Sequence, residues 1–124
     1  VPARRPTRDQ VRERRIEQEI VVDAYDPDEQ AMGWYHHLQD AIGFPFTARC
    51  SGVRAISPLQ VGDEVDVVGM APVEECGHEM FVLIRWEHGT LGIPLSQLDV
   101  TAGDAGTREA VQDWRYWVGQ GCQL

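Results

Sequence analysis

The sequence predicts an α+β fold: a small SH3-like β-barrel flanked by an N-terminal and a C-terminal amphipathic helix. Three observations carry that prediction. Apolar residues recur at helical spacing between Asp26 and Gly43, the second half turns to short runs punctuated by Gly and Pro, and a last helical apolar face passes through Trp114 and Trp117. At 124 residues and 43% hydrophobic, the chain can build one core without covalent staples, so a single domain is expected.

Residues 1–19, VPARRPTRDQVRERRIEQE, read as a basic polar arm ahead of a single domain over 20–120. The arm sets six arginines against Asp9, Glu13, Glu17 and Glu19, a balance of +2. Arg15 and Glu19 stand four apart, which suits a solvated helix in its second half. Its own acids dilute it as a nucleic-acid binder, and it has no aromatic residue for base stacking. The run IVVDAY, residues 20–25, is either a strand or the lead-in to a helix.

Asp26 followed by Glu29 has the spacing of a capping box, Pro27 falls where helices tolerate proline, and Asp28 suits the positive end of the helix dipole. Ala31, Trp34, Tyr35, Leu38 and Ile42 then mark an amphipathic helix of about four turns, which Gly43 and Pro45 end. FPFTARCSGV, GDEVDVVGM and MFVLIRWEHGTLGIPLSQLDV read as strands. In Glu64-Val65-Asp66-Val67 polar and apolar residues alternate, as a half-buried strand requires. His88-Gly89-Thr90 can close a hairpin, Pro94 places the following strand at an edge or a strand end, and SQLDV is a turn of helix or a further strand. Gly103 to Gly106 read as a loop, after which Thr107 can cap a last helix with Ala110, Val111, Trp114, Trp117 and Val118 on one face.

The net charge is −9, and the body from residue 20 onward carries −11, five arginines against sixteen acids, with no lysine anywhere. Such a body repels nucleic acid and attracts cations. The same acids would equally serve solubility alone. No apolar run reaches the length of a membrane span, no signal peptide is expected, and three cysteines suggest reduced thiols in a cytoplasmic protein.

The acids in YDPDEQAMGWYHHLQD pose the central question. Taken as an EF-hand loop from Asp26, the segment puts Ala31 where a glycine is needed and His37 where a bidentate glutamate is needed, so the match fails twice. The front acids are helix punctuation. Asp40, in the last turn, opposes the helix dipole and lies beside backbone carbonyls that lack intrahelical partners. A Ca²⁺ ion, which takes 6–8 oxygens, would satisfy both; a solvated Asp bonded to a nearby N–H is the plain alternative. VEECGHE supplies Glu74, Glu75 and Glu79 in one loop, and Asp63 and Glu64, with Asp66, form a third acidic group at a strand start. Each of these groups also reads as a solvated surface. Zinc is a weaker reading: His36, His37, His78, Cys50 and Cys76 show no paired-ligand spacing. No nucleophile elbow, phosphate loop or dinucleotide fingerprint appears, so an enzyme is not expected.

The blocks EIVVDAYDPDEQAMGWYHHLQDAIGFPFTARC, SPLQVGDEVDVVGMAP, ECGHEMFVLIRWEHGTLGIPLSQLDV and DWRYWV closely resemble a family of small cyanobacterial-type calcium-binding proteins, CcbP-like and without an EF-hand. The resemblance covers nearly everything from Glu19 to Val118. It implies a compact α+β protein that acts as a cytoplasmic calcium buffer through acidic surface residues, and it raises Asp40 and the loop Glu74–Glu79 as ligands. Val73 and Gly77 stand where the family tends to carry more acid, which implies lower affinity there. The expectation is therefore reversible Ca²⁺ binding, through carboxylates and carbonyls drawn from Asp40, Glu74, Glu75, Glu79, Asp63 and Glu64, with no nucleic-acid or membrane partner. The alternative is an SH3-like peptide-binding module whose groove is lined by Trp34, Tyr35, Trp86, Trp114 and Trp117.

Overall fold

A computed structural model of the chain describes residues 9–22 and 24–121. Helix α1 (Gln10–Arg15) is capped by Asp9, whose carboxylate accepts the Arg12 N–H at 2.9 Å. It runs straight into a single π-helical turn, Ile16–Ile20. The helix expected in the second half of the arm is present, but it is not solvated. Ile16 and Ile20 are buried, and Arg12 and Arg15 both donate to the fully buried carboxylate of Asp113, with shortest contacts of 2.7 Å each. Tyr116 extends the clasp: its hydroxyl accepts the Asp9 N–H at 2.8 Å and donates to Glu13 at 3.0 Å. The segment after Ile20 forms no strand among the described residues and leads into the next helix.

Helix α2 (Pro27–Ala41) starts as the capping pattern dictates. Asp26 Oδ1 accepts the Glu29 N–H at 2.8 Å, and Glu29 Oε2 reaches back to the N–H of Tyr25 at 3.3 Å, one residue earlier than the standard box. Its apolar stripe buries Ala31, Trp34, Tyr35 and Leu38. Gly33 lies where the π turn crosses: a Cβ there would sit 2.3 Å from the Ile20 carbonyl oxygen, so only glycine permits this approach.

Five strands follow: β1 (Phe46–Cys50), β2 (Glu64–Met70), β3 (Phe81–Trp86), β4 (Gly89–Pro94) and β5 (Leu98–Ala102). They form one antiparallel sheet in the order β4-β3-β2-β1-β5. The chain meanders from β2 to β4, passes through a 3₁₀ turn at Leu95–Gln97 and returns to the far side of β1. The fold class is α+β as expected. The hydrogen-bonded sheet is open, with β4 and β5 as its edges, and is barrel-like rather than a closed barrel.

Local detail departs from expectation in two places. The β3–β4 hairpin turns on Glu87-His88, because Trp86 pairs with Gly89, and Glu87 takes a positive φ of 51°. Helix α3 (Ala105–Gly119) begins two residues earlier than Thr107. Asp104 is its cap, accepting the Thr107 N–H at 2.7 Å, and the buried Thr107 instead accepts the Gly43 N–H at 2.9 Å. That bond joins the end of α2 to the start of α3. The helices also meet through Trp34, Trp114 and Trp117, whose ring centroids lie 5.1 to 5.6 Å apart. Within this distance range aromatic pairs gain energy beyond their area.

Candidate metal centre

Asp40 sits exposed in the last turn of α2. No ion pair or hydrogen bond engages its carboxylate among the described residues. Its carboxylate therefore stands at the negative end of the helix dipole with no ion-pair partner among the described residues. Two of the helix-end groups are spoken for: the Ile42 N–H bonds the Leu38 carbonyl at 3.0 Å, and Gly43 N–H goes to Thr107. Asp40 and Ala41 share a shallow groove with His36, His37, Gly33 and Glu19, the last delivered by the π turn.

The fold carries a second carboxylate to this helix end. Asp104 uses Oδ1 to cap α3, which leaves Oδ2 directed at Gly43, 2.8 Å from where a Cβ would stand. The Ala41 carbonyl oxygen and Asp104 Oδ1 each lie 3.5 Å from the Cβ position of Gly106. The backbone N–H of Thr107 holds the Asp104 carboxyl below its usual range, so it is ionised at neutral pH. Sequence reasoning did not weigh Asp104; the signal available was an acid between two glycines at the start of an amphipathic helix.

The other expected ligands lie elsewhere. Glu74 and Glu75 are exposed on the 3₁₀ turn Val73–Glu75, with Glu75 Oε2 over Gly92 of β4. Tyr35 ties this segment to α2 by donating to the Ala71 carbonyl at 2.8 Å. Glu79 is gripped in bidentate fashion by Arg54 at 2.7 and 2.9 Å and also accepts from Ser96 at 3.3 Å. Asp63 accepts the Gln60 N–H at 2.9 Å, and Glu64 pairs with Arg49 at 3.1 Å. Asp40, the 74–79 loop and the start of β2 thus remain three separate groups. Among the described residues no three His, Cys, Asp or Glu side chains gather closely enough to hold a metal ion by themselves. Backbone carbonyls and water can complete such a set of separate carboxylates around a hard cation such as Ca²⁺, which takes oxygen ligands of all three kinds. Cys50 and Cys76 are buried, and burial pushes the Cys76 thiol up.

Among the described residues the five aromatic side chains expected to line a peptide-binding groove do not form one. Trp34, Tyr35 and Trp114 are core residues, Trp117 is half-buried, and of the five only Trp86 is exposed, at 37%. Those rings were needed to join α2, α3 and the sheet, and an interior is where large aromatics gain most.

A protein-family model described as calcium binding matches residues 14–118. Two solved structures superimpose closely, each with 38% sequence identity. The crystal structure of Anabaena CcbP gives a TM-score of 0.84 and covers 96% of this chain and 98% of its own. A calcium-binding protein in its calcium-binding form gives 0.82, covering 94% and 96%. No curated protein matches the chain.

Proposed function

The chain belongs to the CcbP family of calcium-binding proteins, and from that premise we propose that it buffers Ca²⁺ at the carboxyl end of α2. Calcium binding is the property of the family; the place and the role are our reading. The observation that supports the place is the unpaired Asp40 carboxylate at the carbonyl end of a helix whose last turn also meets Asp104. Asp40, the free carbonyls of that turn and Asp104 offer hard oxygens only, the donor set that Ca²⁺ prefers. A divalent ion there would cancel the Asp40 charge and the dipole end together, so binding relieves a cost already present in the folded chain.

Glu74 and Glu75 form a second, weaker oxygen group. Glu79, Asp63 and Glu64 already have partners, and a cation would have to compete with Arg54, the Gln60 N–H and Arg49 for them. The role that follows is reversible binding without catalysis, in the cytoplasm, with affinities on the order of 10⁻⁷ to 10⁻⁴ M. Mg²⁺ competes poorly, because an irregular site of carbonyls and carboxylates does not supply near-octahedral geometry.

The test is calorimetric titration of the metal-free chain with Ca²⁺ in excess Mg²⁺ at physiological salt. The parent should saturate at a small whole number of ions, and Asp40→Asn should lose the tightest of them. An Asp40→Asn variant that titrates like the parent moves the site elsewhere.

A further inference from the structure

The groove beside Asp40 has two walls of different origin. One is the carboxyl half of α2, with His36, His37, Asp40 and Ala41; the other is the end of the π turn, with Glu19 and Ile20. Two features set how the second wall sits. Gly33 lets the Ile20 carbonyl press against α2 with no side chain between them. Sequence-distant Asp113 draws in Arg12 and Arg15, about two turns and one turn before Glu19, from a position where water does not reach. Like Asp40, Glu19 is exposed and makes no ion pair or hydrogen bond among the described residues. Glu19 ends a segment whose two arginines are both drawn to Asp113, and it lines the same groove as the unpaired Asp40.

We propose that the α1–π segment is the second wall of the calcium site, presenting Glu19 to the ion, and that its docking through Asp113 is thermodynamically linked to calcium. This rests on the placement of the site at Asp40. With the segment docked, Glu19 joins Asp40 in lining the groove; with it detached, the groove loses a wall and one of those two carboxylates. Linkage is reciprocal, so calcium must in turn hold the segment down. A divalent ion about 8 Å from one carboxylate in water gains roughly fivefold in affinity, and more if the oxygen reaches the ion directly.

The experiment pairs calorimetry with hydrogen exchange on the full chain. Glu19→Gln should bind Ca²⁺ about fivefold more weakly at low salt. Asp113→Asn, which keeps the shape but removes the charge that holds both arginines, should weaken binding comparably, and the double variant should be no worse than either single one. Arg15→Gln repeats the test if Asp113→Asn fails to fold. In the parent, amides 12–20 should exchange more slowly with calcium than without it. Parent-like binding by Glu19→Gln, or exchange of 12–20 indifferent to a bound ion, overturns the link. If Asp40→Asn loses binding while Glu19→Gln does not, the linkage alone is wrong. If both bind like the parent, the site itself has been misplaced.

Discussion

Gly33→Ala is a test in which two physical effects give opposite signs. Gly33 lies inside a fifteen-residue helix, and alanine there gains about 1 kcal/mol from helix propensity. Against this, the new Cβ would stand 2.3 Å from the Ile20 carbonyl oxygen, a backbone atom that cannot rotate away. A tolerable carbon–oxygen contact needs roughly another 0.9 Å, a gap at which packed atoms forfeit a quarter to a half of their attraction. The surfaces that separate belong to Ile16 and Ile20, 3% and 4% exposed. Fully burying such side chains is worth about 1.5–3 kcal/mol each, so losing half of two costs about 1.5–3 kcal/mol. The net expectation is destabilisation by about 0.5–2 kcal/mol, a fall in Tm of roughly 2–8 °C for a chain of this size. Urea unfolding followed by tryptophan fluorescence reads the change directly, because Trp34 is the next residue. An alanine variant more stable than the parent would refute the close approach and leave only propensity at work.

Three further outcomes can be checked on the same apparatus. Thr107→Val should cost about 1–3 kcal/mol, since it removes the acceptor of the part-buried Gly43 N–H and uncouples α2 from α3; a variant as stable as the parent would show the junction to be held by packing alone. Gln97→Leu should raise stability by about 1–2 kcal/mol in thermal melts, because the buried Gln97 amide finds no partner among the described residues for either its nitrogen or its oxygen; a drop in Tm would mean that interior water satisfies it. Burial depresses the pKa of His37 below 6.5, opposed in part by Asp113 and Glu19. Stability from this residue is therefore complete above about pH 6.5 and declines as pH falls toward the folded-state value, the unfolded chain taking its proton first. His37→Gln should flatten that part of the stability–pH curve, and an unchanged slope would assign it to another group.

Much of the chain could be read from its neighbours in sequence. The cap at Asp26, the proline after it, the stripe through Trp34 and Leu38, and the alternation that buries Val65 and Val67 while leaving Glu64 and Asp66 exposed all depend on contacts within a turn or a pleat. Periodicity expresses such contacts directly. The family resemblance, carried by whole blocks of residues, brought calcium with it. Failures at short range were narrow: Asp104 and Thr107 both cap helices well, and the decision between them came from Gly43, sixty-four residues earlier, which claims the threonine hydroxyl.

Tertiary structure decided what the local pattern left open. The arginines of the arm are polar, which suits a solvated helix, yet its described residues pack because Asp113, ninety-eight and one hundred and one residues away, accepts hydrogen bonds from Arg15 and Arg12. Only the fold brings Arg54 across to Glu79, which gives that carboxylate a counter-charge. Asp104 entered the candidate site only when α3 was laid against the end of α2. By itself the sequence determined the elements, the charge and the kinship; which carboxylates keep a counter-charge depends on partners distant along the chain, whose pairing only the folded backbone settles.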